Sequence, residues 1–520
     1  MVGSIRDNCG IALAHSLEDA YELAKHQNHR GQDTAGIGYM SPHNDIYTIR
    51  WHGKVPAFQT RDLVGLIDDF GEGGIDGMYV SHTKYTTSGA RDPLSILRAS
   101  HPHYLGDVEE DYNGSHLVTI GPKKILVHNG QIVNEETFRK SLNGHNFLTD
   151  CDTETLLAYA DAHGVRKALE DIPTAYCAIL MDSEIHSATA FRDRYGIRPM
   201  WLGEKRGKAL ISSEDYALRE IGATPIQEVP PGSMVTIDSD GIPYIEQIIN
   251  PEPHPCIFEY IYILHPESTF YGIKVKDFQV ELGRQLLREF SSELPKDAVV
   301  THVPHRPEIA ARAFAAEGGF QYKPIFYKMS DERAFYGLHQ EDRESSIRRN
   351  MYLNSRHKNQ IKGRDIIIID DSIVRATNSQ YAVELARNAG ARRVYFLSTA
   401  PMIGGEVPLL TDLQLSGNGT DHYLSALGKK EDVCAACFSG REPIPLNMLS
   451  AREIAEIGNG KRLAGCSYGV AMPNSDTFVT VRAGRNLEGI KKEIGSDFLG
   501  YTSENGLSEI HEKLTEKVAA

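Results

Sequence analysis

Two stretches of the sequence carry residues that could act on a small molecule. In DIIIIDDSIVRATNSQYAVELARNAG, four isoleucines, Ile366–Ile369, precede Asp370, Asp371 and a polar run from Ser372 to Ser379. The apolar run predicts a strand buried on both faces, and the pattern beyond it predicts a helix beginning near Gln380. Unpaired N–H groups and the dipole at a helix start favour an anion. Adjacent carboxylates repel a phosphate but suit sugar hydroxyls and a divalent cation, so a ligand with ribose beside a phosphate satisfies both halves. A strand-to-helix turn capped by Asp and Ser is the plain alternative. The second stretch places Cys9 in DNCGIALAHS, ahead of HQNHRGQDTAGIGYM, SHTKYTTSGA, LVHNGQIVN and TDCDTETLLAYA. A thiol becomes a nucleophile when a base lies nearby. A Cys-Gly pair serves equally as a small buried residue, and HNG as a turn.

The elements that must position these groups fall in two portions of a 520-residue chain, a length that suggests two to four domains. Residues 1 to about 245 are rich in Gly, His, Thr and short β-branched runs, and end in the turn sequence VPPGSMVTIDSDGIPY. INPEPHPC, with prolines at 251, 253 and 255, reads as a linker. Beyond it, helix-spaced runs such as VELGRQLLREF alternate with short apolar strands such as DIIIID and RVYFLS, the pattern of a parallel sheet with crossover helices. The formal charge of −15 argues against a protein that coats nucleic acid, which needs excess Lys and Arg. No stretch approaches the roughly 18 apolar residues of a membrane helix. MVGSIRDNCGIALAHS lacks the apolar core of a secretory signal, and seven scattered cysteines do not form a disulfide framework. The expectation is a soluble cytoplasmic enzyme.

The whole run DDSIVRATNS, behind an apolar strand and ahead of a helix, resembles the phosphoribosyl-pyrophosphate signature of type I phosphoribosyltransferases. The segments around Cys9, taken together and in order, resemble the class II glutamine amidotransferase domain, an N-terminal-nucleophile hydrolase. With FRDRYGIRPM, SSEDYALREIGA and CIFEYIYILHPESTFYGIKV between them, the chain is similar to the glutamine phosphoribosylpyrophosphate amidotransferase family. The resemblance implies an N-terminal αββα glutaminase (9–248, after a propeptide 1–8) and a doubly wound parallel-sheet transferase (256–401). Residues 402–520 then hold an inserted segment and a C-terminal helical region. It implies Cys9 as nucleophile, with its own α-amine, of reference pKa roughly 7.7–8.0, as base once residues 1–8 are removed. Asn129 and Gly130 match the oxyanion hole. Arg30 shapes the pocket, and Asp152 holds the glutamine α-ammonium. On the transferase side Asp370 and Asp371 would bind ribose hydroxyls and Mg2+, while Ser372, Arg375, Ala376, Thr377, Asn378 and Ser379 hold the 5′-phosphate.

Several positions depart from the family pattern. Lys84 stands where the family carries an Arg for the glutamine α-carboxylate, and a point charge replaces a planar fork, so weaker glutamine binding is expected. VPHRPE puts His305 and Arg306 in the pyrophosphate loop, where Arg306 could bind pyrophosphate directly. In EDRESSIRRNMYLN, Arg343 and Arg348 fit the closing segment, but the usual Lys falls on Asn350, and Ala376 replaces a Gly. Cys434 and Cys437 of VCAACFSGREPI resemble the CxxC of members that hold an iron–sulfur cluster. Together with Cys256 and Cys466 they would offer four thiolates to a [4Fe–4S] cluster, with zinc or reduced thiols as the other readings. Cys151 and Cys177 read as core.

The resulting expectation is that glutamine is hydrolysed at Cys9 and its ammonia passes through the interior to phosphoribosyl pyrophosphate, giving 5-phosphoribosylamine at the first step of purine synthesis. The family also implies a homo-oligomer inhibited by purine nucleotides. The departures leave room for two other readings, a paralogue with another acceptor or nitrogen source and a non-catalytic nucleotide-sensing regulator.

Overall fold

The computed structural model describes residues 9–69, 77–84, 92–130, 132, 135–142, 144–172, 175–253, 255–304, 306–328, 351–402, 479, 483 and 487–519. The chain divides into two compact units between Pro255 and Cys256.

In the first unit, strand Gly10–Ala14 lies in the middle of a nine-stranded sheet, between Lys208–Ser212 and Met78–Lys84, and Thr34–Met40 follows on the far side of the latter. A second sheet of six strands carries Lys124–Gly130 beside Tyr176–Asp182. The period-2 alternation of side chains sends each strand's residues to opposite faces. Ile11 and Leu13 pack with Val80, Ile125, Val127 and Ile179 between the sheets, whereas Ala12 and Ala14 face helix Leu17–His26 through Leu23 and Tyr21. On the outer side of the second sheet, Leu126, Ala178 and Leu180 meet Leu156 and Leu157 of helix Asp152–His163. Three apolar layers thus bind four structural layers in the order helix, sheet, sheet, helix, the αββα arrangement expected. Each fully buried Leu or Ile contributes about 1.5–3 kcal/mol.

The second unit is built on five parallel strands, in the spatial order Gln321–Tyr322, Val299–His302, Asp365–Asp370, Arg393–Ser398 and Phe498–Tyr501. The Ile366–Ile369 run is fully buried, and its members alternate between two cores. Ile366 and Ile368 pack with Ala382, Val383 and Ile490 from helices Thr377–Asn388 and Leu487–Ile494. Ile367 and Ile369 pack with Leu286 and Phe314 from helices Val275–Phe290 and Glu308–Gly318. Helices on both faces make the sheet doubly wound. Numbered along the chain, the strand order is 2-1-3-4-5, so the direction of winding reverses between Val299–His302 and Asp365–Asp370. Such a switch point opens a crevice at the carboxyl ends of the two strands, and both predicted ligand loops begin there. The fifth strand, Phe498–Tyr501, comes from beyond the 402–460 stretch.

Candidate functional site

Cys9 immediately precedes the central strand Gly10–Ala14 and is fully buried. Its backbone nitrogen donates to Oδ1 of Asn129 at 3.1 Å. Asn129 ends up there because Lys124–Gly130 turns its odd-numbered residues toward the layer between the sheets. The Nδ2 of Asn129 is buried and has no hydrogen-bond partner among the described residues. Leaving a buried amide donor without an acceptor costs about 1–3 kcal/mol. At Gly130, φ is 150° and a Cβ would lie 2.3 Å from the carbonyl oxygen of Ala175, so only glycine fits.

Arg30 is fully buried and holds the other side of Cys9. Its Nε donates to the Cys9 carbonyl at 2.9 Å, and Nη1 to Glu214 Oε1 at 2.8 Å. The same carboxylate oxygen lies 2.7 Å from His29 Nε2. Glu214 therefore neutralises the guanidinium beside the thiol. It escaped the sequence reading because it lies 184 positions from Arg30. Gly31 lets this loop approach the adjacent strand: a Cβ there would lie 2.3 Å from the backbone nitrogen of Lys84.

Lys84 ends strand Met78–Lys84 and is buried. Its Nζ donates to the carbonyl of Ala99 at 3.0 Å and approaches Cys151 Sγ at 3.7 Å. Cys151 caps the start of helix Asp152–His163, and its sulfur also lies 3.8 Å from Asp152 Oδ1. Asp152 Oδ2 accepts from the backbone N–H of Ile132 at 2.8 Å. The cation and carboxylate expected at the two ends of a glutamine backbone thus flank one thiol. Cys151 is half-buried and paired with Lys84 rather than sealed in a core. Cys177 is the core thiol, with burial pushing it up to about 12.

Four buried histidines pack around this corner. The backbone N–H of His128 donates to His101 Nδ1 at 3.3 Å, which places the His101 proton on Nε2, facing Thr153 Oγ1 at 2.8 Å. Thr153 then donates to His128 Nδ1 at 3.0 Å. His82 Nε2 donates to the His128 carbonyl at 3.2 Å. Burial, followed by the charge of Lys84 for His82 and by the neighbouring His82 and Lys84 for His101, holds both imidazoles well below their ordinary range. His103 is held down by burial, Lys84 and Arg50, and His128 is pushed down to about 4, chiefly by burial. The cluster is neutral near pH 7. Ring nitrogens of His101 and His103 and Sγ of Cys151 come within 4.8 Å of one another. The His101 lone pair a metal would need is the one replaced by its proton toward Thr153.

In the second unit, Asp370 and Asp371 stand at the carboxyl end of their strand. Asp371 N–H donates to Asp370 Oδ1 at 2.9 Å, and Ser372 Oγ donates to Asp371 Oδ1 at 2.9 Å. Burial, then the charge of Asp371, raises Asp370 well above the carboxylate range, opposed by the Asp371 N–H and the Ser379 hydroxyl. The helix runs Thr377–Asn388 and so starts three residues before the position the pattern suggested. Thr377, Asn378 and Ser379 form its first turn, so their N–H groups point along the helix axis toward the loop. Ala376 precedes it at φ 66°, the left-handed region, which costs a Cβ-bearing residue roughly 1–2 kcal/mol. The fork of Arg306 is held by backbone carbonyls, Nη1 to Leu264 at 2.6 Å and Nη2 to Ile263 at 2.8 Å. Pyrophosphate would have to take it from them. Tyr501 opposes Ser398, which opposes Asp370 in turn, and its hydroxyl is buried with no hydrogen-bond partner among the described residues. No sequence signal marks it, because only the sheet order brings residue 501 near residue 370.

Cys256 is fully buried at the start of the second unit. Residues 1–8, His305, Arg343, Arg348, Asn350, Cys434, Cys437 and Cys466 lie outside the described residues. Among those described, no helix is long and apolar enough to cross a membrane.

A family profile described as a glutamine amidotransferase domain matches residues 116–220. The chain is 31% identical over 462 residues to the amidophosphoribosyltransferase of Haemophilus influenzae, covering 81% of this chain and 85% of that one. It is 26% identical to the amidophosphoribosyltransferase of Methanothermobacter thermautotrophicus, covering 85% and 96%. Among solved structures, a glutamine phosphoribosylpyrophosphate amidotransferase from B. subtilis complexed with ADP and GMP superposes with a TM-score of 0.67 at 23% identity, covering 96% of this chain and 92% of that one. A structure described as the allosteric regulatory enzyme of purine biosynthesis superposes equally well, at 22% identity, covering 96% and 91%.

Proposed function

Because the chain belongs to the amidophosphoribosyltransferase family, we propose that it hydrolyses glutamine in its first unit and joins the ammonia to phosphoribosyl pyrophosphate in its second. The products are glutamate, pyrophosphate and 5-phosphoribosylamine, and the reaction serves purine nucleotide synthesis. One observation carries the glutaminase half: Asn129 meets the backbone nitrogen of Cys9 with its oxygen and keeps its amide donor unspent beside it.

The residues divide the work as follows. Removal of residues 1–8 turns the Cys9 nitrogen into an α-amine, which takes the thiol proton as the sulfur attacks the glutamine side-chain amide. Asn129 Nδ2 and the Gly130 N–H receive the developing oxyanion. Protonation of the leaving nitrogen frees ammonia and leaves an acyl thioester, which water hydrolyses to glutamate. Arg30, balanced by Glu214, anchors the Cys9 carbonyl. Lys84 holds the substrate α-carboxylate and Asp152 its α-ammonium. In the second unit the first turn of Thr377–Asn388 receives the 5′-phosphate, with Ser372, Arg375 and Ala376 completing the loop. Asp370 and Asp371 receive the ribose hydroxyls.

Asp370 and Asp371 supply hard oxygen donors of the kind Mg2+ takes, and bound there it would neutralise charge on the pyrophosphate leaving group. A [4Fe–4S] cluster on Cys256, Cys434, Cys437 and Cys466 is a separate proposal, checked by iron and sulfide content of anaerobically purified protein. Purine nucleotides as inhibitors, homo-oligomeric assembly and cytoplasmic residence complete this reading. The deciding experiment is pyrophosphate release measured with glutamine and with ammonium separately. Release with both donors supports the proposal; release with neither, by protein that has lost residues 1–8, overturns it.

A further inference from the structure

The substitution of Lys for Arg at position 84 does more than weaken a grip. A guanidinium is a poor nucleophile, whereas a lysine amine, once it gives up a proton, attacks electrophilic sulfur. Nζ of Lys84 stands 3.7 Å from Sγ of Cys151. Cys151 is a half-buried thiol at the N-terminus of a twelve-residue helix, with the Lys84 cation beside it. Both features favour the thiolate, the form that peroxide oxidises, against the opposing Asp152 carboxylate oxygen 3.8 Å from the sulfur. Lys84 is buried and tethered by the Ala99 carbonyl at 3.0 Å, so it waits in place beside the sulfur.

We propose that Lys84 and Cys151 form a peroxide-driven covalent switch, in which oxidation joins them through a sulfur–nitrogen bond. The Cys151 thiolate attacks hydrogen peroxide, gaining one oxygen as sulfenic acid, and the hydroxide released takes a proton from the Lys84 ammonium to become water. The neutral amine then attacks the sulfenic sulfur, the S–O bond breaks and a second water leaves. One thiol and one amine have become a sulfenamide with loss of two hydrogens, and one peroxide has become two waters. An external thiol reverses the link by attacking sulfur, forming a mixed disulfide and returning the amine. The effect on activity rests on the reading of Lys84 as the holder of the glutamine carboxylate: the linked nitrogen loses its charge and two of its donors. Glutamine use falls, while ammonium use in the second unit continues.

The test treats the full-length enzyme with hydrogen peroxide, digests it and maps linked peptides by mass. The expected product joins the peptides containing Lys84 and Cys151, lighter than their sum by two hydrogens and separated by dithiothreitol. Glutamine-dependent pyrophosphate release falls at least tenfold in parallel, ammonium-dependent release stays within twofold, and Cys151→Ser resists the treatment. Cysteine oxidation with no linked pair overturns the switch. So does equal inactivation of Cys151→Ser, which would trace the loss to another group such as Cys9. A linked pair with unchanged glutamine turnover leaves the chemistry standing and removes Lys84 from the glutamine site.

Discussion

The backbone nitrogen of Cys9 lies 3.1 Å from Oδ1 of Asn129, joining two residues 120 positions apart. The contact fixes which end of the Asn129 amide is spent on the protein and leaves Nδ2 for the substrate. Asn129→Ala should therefore lower kcat for glutamine hydrolysis by about 10²–10³, the usual loss on removing one oxyanion donor. Cys9→Ala should abolish glutamine-dependent product while ammonium-dependent product persists. An assay with each nitrogen donor separates the two, and equal loss with both would mean that the first unit's thiol does not work as described.

Lys84→Met removes a buried cation that meets Ala99 and Cys151. The KM for glutamine should rise on the order of 10- to 100-fold, the value of a charge-assisted hydrogen bond to a carboxylate. Steady-state kinetics with ammonium should show little change in the same variant.

The histidine corner predicts acid sensitivity. His82, His101, His103 and His128 stay neutral in the folded unit but titrate near 6.5 when unfolded. Below that pH the unfolded chain binds more protons, so stability falls as pH drops from about 6.5 toward 4. Asp193 and Glu135, raised to about 7 chiefly by burial, oppose this: folded, they keep protons that the unfolded chain releases. With His15, also lowered to about 4 chiefly by burial, the histidine protons outnumber the two carboxylate protons, so the first unit loses stability as pH falls through 5. Urea unfolding of the first unit, followed between pH 7 and 5, measures it. Stability that rose over this range would contradict the neutral cluster.

Arg306 and Asp371, in loops that follow adjacent parallel strands, should behave differently. Arg306→Lys keeps the charge but cannot hold the Ile263 and Leu264 carbonyls together, so the melting temperature should fall by a few degrees. Asp371→Asn keeps the shape of the side chain and an oxygen for the Ser372 hydroxyl while removing the charge, so it should melt near the parent temperature and lose at least tenfold in kcat/KM for phosphoribosyl pyrophosphate. Calorimetry beside kinetics distinguishes the two, and a large thermal loss in Asp371→Asn would make that residue structural.

The parts of this molecule that were legible in sequence are those where one local pattern settles the matter. Ile366–Ile369 reads as a two-face-buried strand because each position is apolar, and the folded strand alternates between two cores as that requires. The ligand loop followed from what comes directly after it. The next helix starts earlier than its pattern suggests, since Thr377, Asn378 and Ser379 read as loop although they fill its first turn. What could not be read are pairings between distant segments. Glu214 with Arg30, Tyr501 opposite Ser398, and the chain from His101 through Thr153 to His128 depend on sheet order, which no single segment encodes. The residues around Cys151 in sequence suggest a core thiol, because nothing among them points to Lys84.

The fifth parallel strand, Phe498–Tyr501, pairs with Arg393–Ser398 from which it is separated by about a hundred residues. At roughly 5–20 residues per second, a ribosome needs on the order of 10 s to deliver it. For that interval the nascent second unit exposes the N–H and C=O groups of Arg393–Ser398, an open sheet margin inviting mispairing with other chains. Newly made protein should accordingly need chaperone protection late in translation, after the ligand loop itself has already been synthesised.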